Sequence, residues 1–141
     1  MRYRVVAVGR VKNAALRAAC DDYLDRLRHY ARVEETELKS EAGLGEAVPG
    51  GSRLVALSRA GELWSSRDLA DRTARWDVEA RDVTFAIGGV GALPPDLLQR
   101  SEAVWSLSRL TLPHELVRVI VLEQLYRAFT IRRGEPYHRG P

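Results

Sequence analysis

The sequence predicts an α/β fold with a mostly parallel sheet covered by helices on both faces. Three observations carry that prediction. Short apolar and β-branched runs alternate with segments whose apolar residues recur every three to four positions, in the order β-α-β-loop-β-α-β-α-β-α. The strand-like run 82–87 ends on glycines, as a strand feeding a crossover does. The 141 residues are 45% apolar and 29% charged, which suits one globular domain with a core large enough to need no disulfide or metal staple.

Residues 3–8 are β-branched and stop at Gly9, so they form a strand; their apolar run is too short for a signal peptide. Asn13 is a suitable cap for a helix over 14–30, along which Leu16, Ala19, Cys20, Tyr23, Leu24, Leu27 and Tyr30 share a face. A second strand is expected over 33–38. The stretch 39–52 holds four glycines and one proline and reads as a loop or a short, poor helix. Residues 53–57 form a strand followed by a turn at Ala60-Gly61. Ser65 or Ser66 caps a helix to about Trp76. The central strand over 82–87 is broken by Gly88, Gly89 and Gly91, and Pro94-Pro95 opens a helix to about Glu102. A last short strand is expected over 104–108. Pro113 starts the final helix, which stops before Gly134 with Arg132 and Arg133 at its negative end.

That final helix is apolar nearly all round. Val117, Leu122, Leu125, Ala128 and Phe129 take one side, and Leu116, Val119, Ile120 and Ile131 the other. A helix of this kind is covered on more than one face, which predicts a symmetric dimer through it. Glu123 and Arg127, one turn apart, form an ion pair.

No run is long and apolar enough to span a membrane, and the lone Cys20 offers neither a disulfide nor a thiolate cluster; a cytoplasmic place is the default. It reads as a buried structural thiol. The net charge of +3 and pI near 9.3 permit a nucleic-acid partner without requiring one. Only Lys12 and Lys39 are lysines, so nearly all the positive charge is arginine. There is no dinucleotide or P-loop glycine motif and no nucleophile elbow, so a Ser108/His114 hydrolase is disfavoured.

Three places could carry chemistry. Ile87-Gly88-Gly89, at the carboxyl end of a parallel strand, lets a ligand approach backbone closely, or is a plain tight turn. The loop 107–112, with Ser108 and Thr111 ahead of a helix N-terminus, could wrap a small polar ligand or simply cap the helix. The tail Tyr137-His138-Arg139 suits stacking on a base and contacting phosphate, or is a frayed end.

Taken together, Val6-Ala7-Val8-Gly9-Arg10, Val55-Ala56-Leu57, Ile87-Gly88-Gly89, Trp105-Ser106-Leu107-Ser108, Leu110-Thr111-Leu112-Pro113-His114, Val117-Arg118-Val119, Glu123-Gln124-Leu125-Tyr126-Arg127-Ala128 and Pro136-Tyr137-His138-Arg139 resemble, in order and spacing, the ribosomal RNA large subunit methyltransferase H family of the SPOUT superfamily. The likeness runs from end to end. It implies an α/β domain with a deep C-terminal trefoil knot, working as a homodimer. It implies S-adenosylmethionine as cofactor and methylation of N3 of a pseudouridine in 23S ribosomal RNA on the assembled ribosome. The cofactor residues carried over are Leu57, Gly88, Leu107, Ser108, Arg109, Leu110, Thr111 and Leu112; the catalytic ones are Tyr137, His138 and Arg139, completing the partner's site. No metal is implied, because a sulfonium methyl is already electrophilic. The chain departs from the family at Ser58, where an acidic residue is common, at Ala92, where glycine is usual, and in a shortened 38–52 segment. A non-catalytic RNA-binding module with a weakened cofactor site is the alternative those departures leave.

Overall fold

The structure, a computed structural model, describes residues 1–89 and 93–141. Expectations for Val90, Gly91 and Ala92 lie outside the described residues. Five strands, β1 (Arg2–Val8), β2 (Arg32–Leu38), β3 (Arg53–Leu63), β4 (Val83–Ile87) and β5 (Ala103–Ser106), pair in parallel in the order β2-β1-β4-β3-β5. Helices α1 (Ala14–Leu27), α2 (Leu44–Ala47), α3 (Ser66–Glu79), α4 (Pro95–Arg100) and α5 (His114–Arg132) complete the chain, with a 3₁₀ turn at Glu41–Gly43. The parallel α/β architecture expected from the alternation is the one observed.

The pleat sorts the core into two layers. Tyr3, Val5 and Ala7 of β1, Val55 and Leu57 of β3, and Val83, Phe85 and Ile87 of β4 pack with α1, α3 and α5. Their alternates Val6, Val8, Leu54, Ala56 and Ala86 pack with Leu44 and Val48 near α2, and with Leu93 and Leu97 near α4. Strands buried on both faces must lack polar alternation, which is why these runs read as continuously apolar. Among the described residues no helix is long and apolar enough to cross a membrane.

The caps fall where the side-chain chemistry places them. Asn13 accepts from the amides of Ala15 (3.0 Å) and Leu16 (3.1 Å). Ser65 and Asp68 form a reciprocal capping box on α3. Gly134, at φ +66, closes α5 in the left-handed region that glycine enters freely. Cys20 is fully buried, and desolvation, with Glu35 adding to it, pushes its thiol up to about 11, so it is inert near neutrality.

Several boundaries differ from expectation: α3 runs on to Glu79, α4 stops at Arg100, and β5 spans Ala103–Ser106 rather than 104–108 because Ser106 and Ser108 already turn the chain there. Helix α1 stops at Leu27, and residues up to Tyr30 tighten into a turn in which the Tyr30 amide donates to the Leu27 carbonyl (2.9 Å). The larger correction is at Ala60-Gly61, which is not a turn. Strand β3 continues to Leu63 and meets β5 twice: Leu57 and then Glu62 both oppose Trp105, so residues 58–61 bulge outward. Gly61 serves that double pairing. A Cβ there would lie 2.4 Å from the Val104 carbonyl oxygen, so only glycine lets the backbones approach.

Candidate active site

A cleft of about 620 Å³ opens at the carboxyl ends of β3, β4 and β5. Its volume lies within the range of small-molecule sites. One wall is the β3 bulge: Leu57, Ser58, Arg59 and Ala60. A second is the end of β4, Ile87, Gly88 and Gly89, with Leu93 and Leu98. The third is the segment after β5, where Leu107, Ser108, Leu110, Thr111 and Leu112 lead through Pro113 to His114 and Val117 at the start of α5. Trp105 closes the interior and is itself backed by a stacked Trp64, ring centroids 5.1 Å apart.

Hydroxyls shape the third wall. Ser106 donates to the Ser108 carbonyl (3.0 Å), and the Ser108 hydroxyl accepts from the Leu110 amide (3.0 Å). These short-range bonds fold the chain back on itself and leave its apolar side chains facing the cleft. The bulge and this loop are also tied to each other. Arg59 donates to the Thr111 hydroxyl (2.5 Å), and the Arg109 guanidinium donates to the Arg59 carbonyl.

Of the cofactor residues expected from sequence, Leu57, Gly88, Leu107, Ser108, Leu110, Thr111 and Leu112 line this one cleft. Arg109 does not line it: its side chain is drawn to the Arg59 carbonyl, so the segment reaches the cleft while that guanidinium does not. Sequence reading missed Arg59 and Ala60, taken there as the edge of a turn, and Trp105. The signal was present in Gly61, since a glycine inside a strand pattern also marks a bulge or a close approach.

The tail residues lie elsewhere. Tyr137 donates to Glu123 (2.8 Å), against the middle of α5, and packs edge-on to Tyr126 at 4.7 Å. Arg127 pairs with the same carboxylate (2.9 Å), sits 4.7 Å over the Tyr137 ring and reaches His138 Nδ1 at 3.0 Å. A guanidinium can only donate, so His138 Nδ1 accepts and Nε2 carries the ring proton. That Nε2 is buried without a partner among the described residues. Burial, with bonds to Tyr23 and Glu123, holds the Tyr137 phenol well above its ordinary titration range, so it stays protonated. Arg139 is exposed. None of the three lines the cleft of its own chain. The expected Glu123–Arg127 pair is present, and it anchors the tail.

A buried arginine stands behind the cleft. Arg118 on α5 is 1% exposed; it bonds Glu35 (2.8 Å) and Glu37 (2.7 Å) of β2 and the Gly9 carbonyl (2.9 Å) after β1. Arg17 of α1 pairs with the same two carboxylates, at 2.5 Å and 3.2 Å.

A family model described as Predicted SPOUT methyltransferase matches residues 1–138. The chain belongs to the SPOUT methyltransferase family. It is 40% identical over 146 residues to the ribosomal RNA large subunit methyltransferase H of Polynucleobacter asymbioticus, covering 99% of each chain. It is 43% identical to proteins of the same name from Sorangium cellulosum, over 97% of this chain and 99% of that one, and from Gloeobacter violaceus, over 99% and 100%. The resemblance read from the motifs therefore holds over essentially the full length. In fold, the chain superimposes on a methylase family protein from Haemophilus influenzae Rd KW20 with a TM-score of 0.64 at 10% identity, covering 98% of this chain and 70% of that one. One from Neisseria gonorrhoeae gives 0.58 at 12%, covering 99% and 86%.

Proposed function

We propose that this chain is an S-adenosylmethionine-dependent methyltransferase of large-subunit ribosomal RNA, acting in the cytoplasm on N3 of a pseudouridine in 23S RNA within the assembled ribosome. The observation that carries the reading is the cleft itself. It gathers seven of the residues expected to hold the cofactor from three separate stretches of chain, with apolar walls for a purine and for the carbon chain around a sulfonium, and backbone and hydroxyl groups for the polar ends. The cofactor, when bound, supplies an electrophilic methyl. Leu57, Gly88, Leu107, Ser108, Leu110, Thr111 and Leu112 would hold it, with Arg109 contributing backbone alone.

The remaining chemistry belongs to the tail. N3 of the base carries an imide proton that must leave before nitrogen can attack, and a cation beside the deprotonated ring lowers that cost. Arg139 supplies the charge. His138, held at Nδ1 by Arg127 and buried at Nε2, positions the tail around the base rather than accepting the N3 proton, which passes to solvent water. Positioning of base and methyl in line supplies the rest of the acceleration.

Because the tail is anchored on α5 away from its own cleft, the active unit is a homodimer in which each tail completes the partner's cleft. The outer face of α5 supports this: Leu116 is 38% exposed, and Val119 and Ile120 are only half-buried. Ile120→Glu is therefore expected to give monomers by sedimentation and to abolish methyl transfer while keeping the circular dichroism of the fold. Tritiated methyl transfer to ribosomes, with free 23S RNA as control, tests the activity. Labelling of one pseudouridine is the expected result; no labelling at millimolar cofactor would overturn it. The deep C-terminal knot of the family is expected in this chain too.

A further inference from the structure

The ion pairs are distributed unevenly between the two edges of the sheet. On the amino edge most arginines are neutralised, with Arg32 the exception: Arg2 by Glu34 (3.3 Å), Arg4 by Asp82 (2.9 Å), and Arg53 by Glu79 and Glu102. On the carboxyl edge, where the cleft opens, the opposite holds. Arg10 and Lys12 follow β1, Lys39 follows β2, Arg59 sits in the β3 bulge and Arg109 follows β5, all exposed. Among the described residues none of the five has a carboxylate within 4.0 Å. The cause is internal. The nearby carboxylates of β2, Glu35 and Glu37, are consumed by buried Arg118 and by Arg17, so the carboxylates left on this edge are Glu115, which bonds the neutral Asn13 amide (3.0 Å), and Glu41 beside Gly89, against five cations. Arg59 and Arg109 bond only neutral oxygens, which leaves their charge uncompensated.

Unpaired cations around an apolar-walled cleft focus a positive potential at its mouth. We infer that this carboxyl edge is a phosphate-docking rim: Arg10, Lys12 and Lys39 on one side of the cleft, and Arg59 and Arg109 on the other, bind the RNA backbone flanking the target nucleotide. The inference rests on the proposed function and adds a surface to it. Phosphate contacts position a substrate without reading its sequence, so the rim sets affinity and register while the cleft and tail set the chemistry.

The test is binding of the full-length protein to purified large ribosomal subunits as a function of salt. Each phosphate contact contributes about 0.7 to 0.9 to the slope of log affinity against log salt. The triple variant Arg10→Glu/Lys12→Glu/Lys39→Glu is expected to lower that slope by about 2 to 3 and to bind at least about 10-fold more weakly near 0.15 M salt. Arg32→Glu, exposed on the amino edge and without a carboxylate partner among the described residues, is the control and keeps the wild-type slope. S-adenosylmethionine calorimetry on each variant reports the fold of the cleft independently. An unchanged slope in a triple variant that still binds cofactor would overturn the inference and leave the methyltransferase reading standing. So would a triple variant that keeps its affinity for the large subunit and loses only binding to phosphatidylserine vesicles. Wild-type protein that docks with the full slope yet transfers no methyl would overturn the activity and keep the rim.

Discussion

Arg139→Ala is expected to lower the rate of methyl transfer to ribosomes by about 10²- to 10³-fold, the usual cost of removing one group that stabilises developing negative charge. Cofactor affinity should not change, because Arg139 lies outside the cleft that would hold it. Fold stability should not change either, because the side chain is exposed. Arg139→Lys should recover part of the rate, since it keeps the charge and loses the fork. The same variant tests where the tail acts. Thr111→Trp fills the cleft from an exposed lining position, so that variant is also expected to be inactive. If each tail serves the partner's cleft, co-refolding the two inactive variants creates dimers with one intact site, and roughly a quarter of the clefts regain activity under random pairing. If each tail served its own cleft, the mixture would stay inactive. Full activity in Arg139→Ala alone would remove the residue from the mechanism.

The rim and the tail explain why some of the site was readable in the sequence and some was not. The resemblance singles out Leu57, Gly88 and 107–112 as cofactor residues, and the strand order explains why they meet, because parallel strands deliver their carboxyl ends to one edge. The same periodicities gave the element order, and polar side chains at Asn13 and Ser65 gave the helix starts. What local pattern could not supply was pairing across the chain. The bulge at 58–61 depends on β3 meeting β5 twice, so Gly61 looked like a turn until Val104 was placed against it. The direction of the Arg109 side chain depends on a carbonyl 50 residues away. Arg118 was hidden differently. It stands in the stripe Arg118, Leu122, Leu125, Phe129, whose spacing alone assigns it to the buried face of α5, yet a charge there makes sense only once β2 brings Glu35 and Glu37 to meet it.

Arg118→Ala should therefore be among the most destabilising single changes in the chain. Removing one member of a buried ionic cluster leaves its partners desolvated and unmatched, at about 3–5 kcal/mol, or roughly 10–15 °C in Tm for a chain of this size. Glu35 and Glu37 would retain only Arg17, and the Gly9 carbonyl would lose its donor. The loss has a pH signature. Partial burial opposes ionisation of Glu37, but bonds from Arg118 and the Val11 amide outweigh it and hold the carboxyl below its ordinary 4.5. A carboxylate depressed in the folded state contributes stability that is fully present above its unfolded value and is lost as pH falls through the folded one. Wild-type protein should accordingly lose that contribution only below about pH 4.5, and Arg118→Ala should show a flatter acid limb from an already lowered start. Arg118→Met combined with Glu35→Leu and Glu37→Leu separates charge from packing, because an apolar replacement of the whole cluster avoids stranded carboxylates and should recover much of the Tm. Thermal melts at pH 7 and pH 4 decide the matter. A shift below about 3 °C in Arg118→Ala would mean that water or Arg17 alone satisfies the two carboxylates, and that the cluster does not hold α5 against the sheet.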